Sequence, residues 1–315
     1  MKEKKEQMDI FLIINNLLIL FAMIAVGFFA GKSGKLSDKA FSDLTAFLMQ
    51  VTLPCMIFSS MQRAFDINML KDSMIGLVLS LVFSLSALGI SYLVSGALGV
   101  RKIRRGTWIF ASTYGNTGFM GIPIVNALLG QDGVFILANS GPAYMIVQYT
   151  LCVRMMYAFS GKEPEGGKKN VLLSRQNFAM LLGLLFFLFQ IPLPEVASRV
   201  INAFAGITTP LSMFVIGLSL SRGRIADTFR DKDVITICLM RLAVIPLLTV
   251  LVLRFMPFVS PLLKSVLILC AAMPCPSLSV IFSQTYGGDV ELGSRAIFLS
   301  SLACMVTIPL MTVFL

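Results

Sequence analysis

Uncharged apolar stretches long enough to cross a bilayer recur along the whole chain, and they limit its fold more than any other feature. A spanning α-helix needs about 20 mostly apolar residues. Nine such stretches contain no charged residue: Ile10–Gly31, Leu44–Gln62, Ser73–Val100, Gly106–Gln131, Gly133–Val153, Gln176–Pro194, Val200–Ser221, Ser265–Gly288 and Ala296–Leu315. A tenth, about Val234–Leu253, is interrupted by Arg241 alone. The chain is therefore predicted to be an all-α integral membrane protein with ten transmembrane helices.

The overall composition agrees with a membrane protein. Of the 315 residues, 57% are hydrophobic and 13% are charged, whereas soluble domains are about half apolar and about a quarter charged. The first stretch is too long for the apolar region of a cleaved signal peptide. The longest polar connection, roughly Ser160–Arg175, is a short Gly/Lys/Glu loop. We therefore expect a single transmembrane domain over residues 1–315.

The net charge of +10 is best explained by membrane topology. If the N-terminus lies outside, 16 of the 26 Lys and Arg residues fall in inside loops and eight fall outside. Basic residues favour cytoplasmic loops. This predicts a multi-pass protein of the cell inner (plasma) membrane with both termini extracytoplasmic. Membrane lipid is an expected partner and nucleic acid is not.

Several kinds of chemistry are disfavoured by the residues present. The chain has no histidine, which excludes His-assisted serine or cysteine catalysis and His-based zinc motifs. Its six cysteines fall in apolar stretches without a Cys-x-x-Cys pair, and they are interpreted as free thiols that act as small hydrophobes. Its acids lie near predicted span ends. We expect no enzyme activity, no cofactor and no metal site.

The two halves of the chain share features when one is shifted by about 156 positions along the other. Three pairs then come into register: Pro54 with Pro210, the stretch YGNTGFMGIPI at 114–124 with MPCPSLS at 273–279, and Asp132 with Asp289. Glycine and proline are common in membrane helices, so one pair alone would be weak. Five spans in each half place the second half upside down, which predicts two inverted repeats, about residues 10–157 and 176–315.

The paired stretches are poor helix material in the middle of predicted spans four and nine. Pro123 lacks an N–H and obstructs the preceding helical turn, and Pro274 and Pro276 have the same effect in the second half. Such breaks survive at membrane depth only where protein or a watery cavity covers them. Tight helix packing is an alternative role for Gly115, Gly118 and Gly121. Converging half-helix ends would attract an anion, with Asn116 and Thr117 placed to bind it.

Other polar residues within spans have two interpretations each. Arg241 would hold a substrate carboxylate, or it would bond freed carbonyls near Pro246 or reach the interface. For Arg154, nearer a cytoplasmic end, reaching the interface is favoured. The polar residues of the fifth span would line a substrate path or bond other helices: Asn139, Tyr144, Gln148 and Tyr149.

Three motifs resemble one family of membrane transporters. GNTGFMGIPI at 115–124, MPCPSLSVIFSQTYGGD at 273–289 and RLAVIP at 241–246 are similar to the auxin efflux carrier family. That family includes plant auxin carriers and bacterial permeases for malate and related carboxylates. The resemblance covers about residues 10–315, and the absence of a long central loop resembles the compact bacterial form.

The resemblance implies a fold and a mechanism. Ten helices form two inverted five-helix repeats, with broken crossover helices 4 and 9. Helices 1, 2, 6 and 7 form a scaffold that makes a homodimer, while helices 3–5 and 8–10 move as an elevator. By motif, Asn116, Thr117 and Pro123 correspond to the family's first crossover, and Pro274 to the leading proline of the second. Residues 148–150 resemble the polar segment of the fifth helix.

These observations together predict a secondary transporter for a small organic anion, a carboxylate such as malate or an auxin-like weak acid. The predicted substrate-binding residues are Asn116, Thr117, Gly118, Pro123, Gln148, Tyr149, Arg241, Pro274, Pro276 and Ser277. An anion channel and a transport-inactive membrane sensor of the same ligands are the alternatives.

Overall fold

The computed structural model describes residues 10–160, 175–221 and 228–315, and within these ranges the secondary structure is entirely helical, with no β-strand. The α-helices are α1 Ile10–Lys32, α2 Asp38–Phe47, α3 Leu53–Ser60, α4 Ile67–Ala97, α5 Lys102–Thr113, α6 Ile122–Val147, α7 Val153–Ser160, α8 Arg175–Phe189, α9 Glu195–Ser221, α10 Lys232–Leu239, α11 Ile245–Arg254, α12 Pro261–Ala272, α13 Leu278–Tyr286 and α14 Val290–Met311. The predicted all-α class is confirmed. The predicted polar loop between Ser160 and Arg175 lies outside the described residues.

Seven helical stretches of the described chain are long and apolar enough to cross a membrane: Asn15–Lys32, Asp38–Ser60, Ile67–Ala97, Lys102–Ser160, Glu195–Ser221, Lys232–Arg254 and Val290–Phe314. Helices α8 and α12 are apolar but shorter. The stretch Lys102–Ser160 has 59 residues, far more than one crossing needs. Its backbone leaves the helix at 114–116 and again at Gly130, whose φ of 65° is a left-handed angle that glycine tolerates. The number of ten spans stays a prediction.

Short π-helical turns interrupt four of the longer helices, and three of them precede a proline. These three are Leu48–Thr52 before Pro54, Thr117–Gly121 before Pro123, and Met240–Val244 before Pro246. Each turn ends two residues before its proline. Because the proline has no N–H and its ring crowds the carbonyl four residues earlier, the wider turn accommodates that carbonyl. The fourth turn, Gln148–Cys152, lies between α6 and α7 with no proline following it closely.

The helices pack in two groups. The first, called here the α1–α9 group, contains α1, α2, α3, α8 and α9, and α1 lies along α9 with α3 against α8 and α9. A Cβ on Gly27 would lie 2.2 Å from the carbonyl oxygen of Phe214, and one on Gly217 would lie 2.0 Å from that of Ile24. These glycines therefore let α1 and α9 approach closely.

The second group, called here the crossover group, contains α4 to α7 and α10 to α14. Within it, α4 packs on α6, α5 on α7, and α10 and α13 on α14. All six cysteines are free thiols, as predicted, and only Cys55 and Cys270 are not fully buried. The division into these two groups places the broken segments, 114–116 and 273–277, in the crossover group.

Candidate functional site

The two broken segments meet inside the crossover group. Helix α5 ends at Thr113 and α12 ends at Ala272, and each is followed by a residue with an extended backbone. The chain resumes its helix at Thr117 after the first break and at Leu278 after the second. The backbone N–H of Asn116 donates to the carbonyl of Pro274 over 2.8 Å. The segments predicted to form a matched pair are thus bonded to each other.

Asn116 organises the start of the first resumed helix. Its side-chain Oδ1 accepts a hydrogen bond from Phe119 N at 3.3 Å, and its carbonyl accepts from Met120 N and Gly121 N. Its Nδ2 lies 3.3 Å from Ser277 Oγ, to which it donates. One asparagine therefore caps the helix of the first half and reaches the residue that precedes the helix of the second half.

Some N–H groups at these two helix starts have no acceptor among the residues described. Thr117 N donates to Gly115 O and Ser279 N donates to Pro276 O, but the N–H groups of Gly118, Ser277 and Leu278 have no acceptor among the described residues. The first N–H groups of any helix lack an intrahelical partner, and here Gly118, Ser277 and Leu278 all line one cavity. N–H groups of this kind can bind a hydrogen-bond acceptor, above all an anion.

A cavity of about 360 Å³ lies at this point. Seven of the ten predicted site residues line it: Asn116, Thr117, Gly118, Gln148, Tyr149, Pro276 and Ser277. Its remaining walls are mostly apolar and include Met49, Leu53, Phe119, Ile122 and Met180. No charged side chain is among the residues that line it.

Gln148 is the most unusual polar side chain of the cavity. It begins the π turn Gln148–Cys152 and is only 3% exposed, yet its amide makes no hydrogen bond with any described residue. Its neighbour Tyr144 is engaged: the Tyr144 hydroxyl accepts from Gly115 N at 2.6 Å and lies 3.3 Å from Gly115 O. Asn139, predicted beside them, bonds Phe135 O within its own helix and does not line the cavity.

Arg241 and the remaining two prolines lie outside the cavity lining. Pro123 is buried at the start of α6, where it follows the π turn, and Pro274 supplies the carbonyl that Asn116 binds. Arg241 is 2% exposed. It lines a separate cavity of about 270 Å³ between α4, α11 and α12, behind the crossover.

The guanidinium of Arg241 binds three backbone carbonyls. Its Nε donates to Met273 O at 2.8 Å, Nη1 to Thr113 O at 3.1 Å and Nη2 to Cys270 O at 2.8 Å. These carbonyls lie at the C-terminal ends of α5 and α12. The carbonyls near Pro246, which the sequence suggested as partners of Arg241, are not the ones that it binds. The structure therefore places Arg241 as a cap shared by two half-helices.

The region where the two broken segments meet, called here the crossover, therefore has negative helix ends on one side and positive helix ends on the other. Each helix end carries roughly half an elementary charge, positive at the N-terminus and negative at the C-terminus. Both negative ends face Arg241, whose positive charge offsets them. Both positive ends face the cavity, where no described side chain offsets them.

Two polar residues of the cavity lining, Gln176 and Asn177, were not predicted from the sequence. Gln176 and Asn177 begin α8 and bring polar groups from the α1–α9 group to the cavity. Gln176 Nε2 donates to Met49 O at 2.7 Å, within the π turn that precedes α3. The sequence signal for these residues was two adjacent amide side chains at the start of an apolar span. They belong to no repeat or motif that would have indicated a binding site.

An ionic cluster lies away from the cavity, at the starts of α5, α10 and α14. Arg104 pairs with Asp231, Asp233 and Asp289. Burial favours a raised pKa for Asp231, but the hydrogen bonds and the charge of Arg104 outweigh it and hold the pKa below its ordinary value. Arg154, by contrast, is exposed on α7.

A family model and three known proteins that this chain resembles are all described as transport proteins. The family model described as "membrane transport protein" matches residues 12–172 and 168–312. An uncharacterized transporter of Methanothermobacter thermautotrophicus is 26% identical over 95% of this chain and 97% of its own length. An uncharacterized transporter of Methanocaldococcus jannaschii is 24% identical over 93% and 96%. A putative malonate transporter of Rhizobium meliloti is 23% identical over 92% of each chain.

Proposed function

Because the chain belongs to the family of membrane transport proteins, we propose that it is a secondary transporter that carries a small organic anion across the cell inner membrane. The observation that carries this proposal is the convergence of two helix N-termini on one cavity without a basic side chain. N–H groups already fixed in place bind an anion without reorganisation, and the helix dipoles favour its charge.

Carboxylates are the proposed substrate class. A carboxylate has two acceptor oxygens, which suits the spaced N–H groups of Gly118, Ser277 and Leu278. Asn116 and Thr117 lie between them and would bond the same group. The name of the Rhizobium meliloti relative, a putative malonate transporter, supports a carboxylate as the substrate of this chain as well.

We further propose an elevator mechanism. The cavity takes walls from both helix groups: Met49, Leu53 and Gln176 from the α1–α9 group, and Asn116 and Gln148 from the crossover group. A substrate held at such a boundary would change sides if the crossover group slid along a fixed α1–α9 group. The resemblance to the auxin efflux carriers supports this division, together with ten spans in two inverted repeats, extracytoplasmic termini and a homodimer made through the α1–α9 group.

No coupled ion is required for export in this proposal. Moving one negative charge out of a negative-inside cell is favoured by about 2.3 kcal/mol per 100 mV. The described residues include no group of His, Cys, Asp and Glu that would hold a metal ion. Net export is therefore expected to follow the membrane potential.

Proteoliposome flux tests the proposed function. Purified protein would be reconstituted, and uptake of radiolabelled malate, malonate, propionate and indole-3-acetate would be measured under an imposed potential. We expect saturable uptake of at least one acid and accelerated exchange when the same unlabelled acid is inside. Flux without saturation or exchange would favour an anion channel, and binding without flux would favour a sensor.

A further inference from the structure

We propose that the transported species carries one net negative charge and a second, uncharged polar group, so that a dicarboxylate is carried in its singly protonated form. This inference rests on the proposed function, because it assigns the substrate's charge at the same cavity. It is carried by two independent observations, the charge available in the cavity and the unbonded amide of Gln148.

The charge available in the cavity is about one unit. Two helix N-termini contribute roughly half a charge each, and no Lys or Arg is among the lining residues. The buried Arg241 does not add to this, since its guanidinium binds carbonyls at two helix C-termini on the opposite face. One carboxylate is thus matched, while a second would be left without a counter-charge.

The apolar walls make that second charge costly. Met49, Leu53, Phe119, Ile122 and Met180 surround the polar groups, so a bound ion exchanges water for hydrocarbon over much of its surface. An isolated buried carboxylate takes up a proton instead of remaining charged in such surroundings. The second carboxyl of a bound diacid is therefore expected to be neutral.

Gln148 supplies the complementary group for a neutral carboxyl. The residue is only 3% exposed and lines the cavity, and its amide is left without a partner by the described residues. An amide both donates and accepts, and so does a protonated carboxyl, so the two can form a pair of hydrogen bonds. A hydroxyl would satisfy the amide as well, whereas a carboxylate would meet only its N–H₂ half.

The pH dependence of uptake tests this inference. Malonate and its monomethyl ester would be compared in proteoliposomes between about pH 7 and about pH 5, well above the range in which a first carboxyl is protonated. The ester keeps one charge throughout. At subsaturating concentration, malonate uptake is expected to rise as the pH falls, approaching tenfold per unit while the dianion predominates, and ester uptake is expected to stay nearly constant.

The outcomes separate this inference from the proposed function. Malonate uptake that is unchanged or falls at lower pH, while the ester is carried poorly, would overturn the singly charged substrate and leave the transporter intact. If no acid of the panel, the ester included, exceeds the flux of empty liposomes, the proposed function and this inference fail together.

A variant provides a second test at Gln148. Gln148→Met retains volume and removes the amide, so malonate uptake at about pH 5 is expected to drop about tenfold, while uptake of propionate, which has no second polar group, changes little. Gln131→Met is the matched control, because Gln131 is exposed and lies outside the cavity. An equal loss for both acids in a monodisperse Gln148→Met protein would contradict the assigned role.

Discussion

The crossover, where the two broken segments meet, has a cavity face with two helix N-termini and a rear face with two helix C-termini. The partial charges of these helix ends are positive on the cavity face and negative on the rear face, and only the negative ends are paired with a charged side chain. On the rear face the C-terminal ends of α5 and α12 share one buried arginine, which makes three hydrogen bonds to their carbonyls. On the cavity face the helices that begin at Thr117 and Leu278 are met by Asn116 and Ser277, both uncharged. A permanent charge therefore fixes the framework on the rear face, whereas no charged side chain lines the cavity, which in the proposed function receives the charge of a substrate.

In this account the rear face stabilises the fold and the cavity face serves transport. Variants on the two faces are therefore expected to fail in different ways. Rear-face changes should lower the free energy of unfolding. Cavity-face changes should reduce flux while the fold persists.

The largest effect is expected for Arg241→Met. Removing the guanidinium takes one hydrogen bond from each of three backbone carbonyls and leaves two helix ends without a counter-charge, a loss comparable to breaking a buried ion pair, about 3–5 kcal/mol. Thermal unfolding in detergent should show a strongly lowered midpoint or failure to fold. Arg254→Met, at the exposed end of α11, is the control. A normally stable Arg241→Met protein that has lost only transport would instead make Arg241 a substrate ligand.

The second-largest effect is expected for Gly115→Ala, because Gly115 lines the cavity and also contacts Arg241 on the rear face. A Cβ at Gly115 would lie 2.4 Å from Arg241 Nη2 and 3.0 Å from Cys270 O. Displacing either atom weakens the shared cap, so we expect a loss of about 1–3 kcal/mol in unfolding free energy. Gly89→Ala is the matched control, since nothing lies within 4 Å of its added Cβ. Equal unfolding midpoints for the two variants would show that the cap tolerates the displacement.

The smallest effect is expected for the ionic cluster outside the crossover. The pKa of Asp231 is lowered in the folded protein, so its contribution is present above the unfolded pKa of about 4 and is lost as pH falls through the folded value. Asp231→Asn should lower stability near neutral pH by under about 1 kcal/mol. The difference from the unsubstituted protein should disappear in acid. A difference that persists or grows at low pH would contradict this explanation.

The sequence predicted the cavity better than the framework around it. Asn116, Thr117 and Gln148 were identified because polar residues and helix breaks are conspicuous in apolar spans. The partners of Arg241 were not predictable, since Thr113 and Cys270 contribute backbone carbonyls that carry no residue-specific signal. Gln176 and Asn177 were missed because their approach to the cavity depends on how α8 packs, which no local pattern encodes.

The prolines show an intermediate case. Pro123 was recognised as part of a helix break, Pro246 as a residue that frees nearby carbonyls, and Pro54 only as the repeat partner of Pro210. That each proline would follow a π turn at the same spacing was not predictable, because a proline can be accommodated by a kink, a break or a wider turn. Packing against neighbouring helices selects among these.

The central claim, that an anion binds between the two helix starts at Asn116, is tested most directly by Asn116→Ala in the proteoliposome assay. Asn126→Ala, on α6 and outside both cavities, is the control. We predict that Asn116→Ala lowers carboxylate uptake at least about tenfold, at a stability cost near that of a lost helix cap, about 1 kcal/mol. Carboxylate uptake that is unchanged in the folded Asn116→Ala protein would contradict the claim.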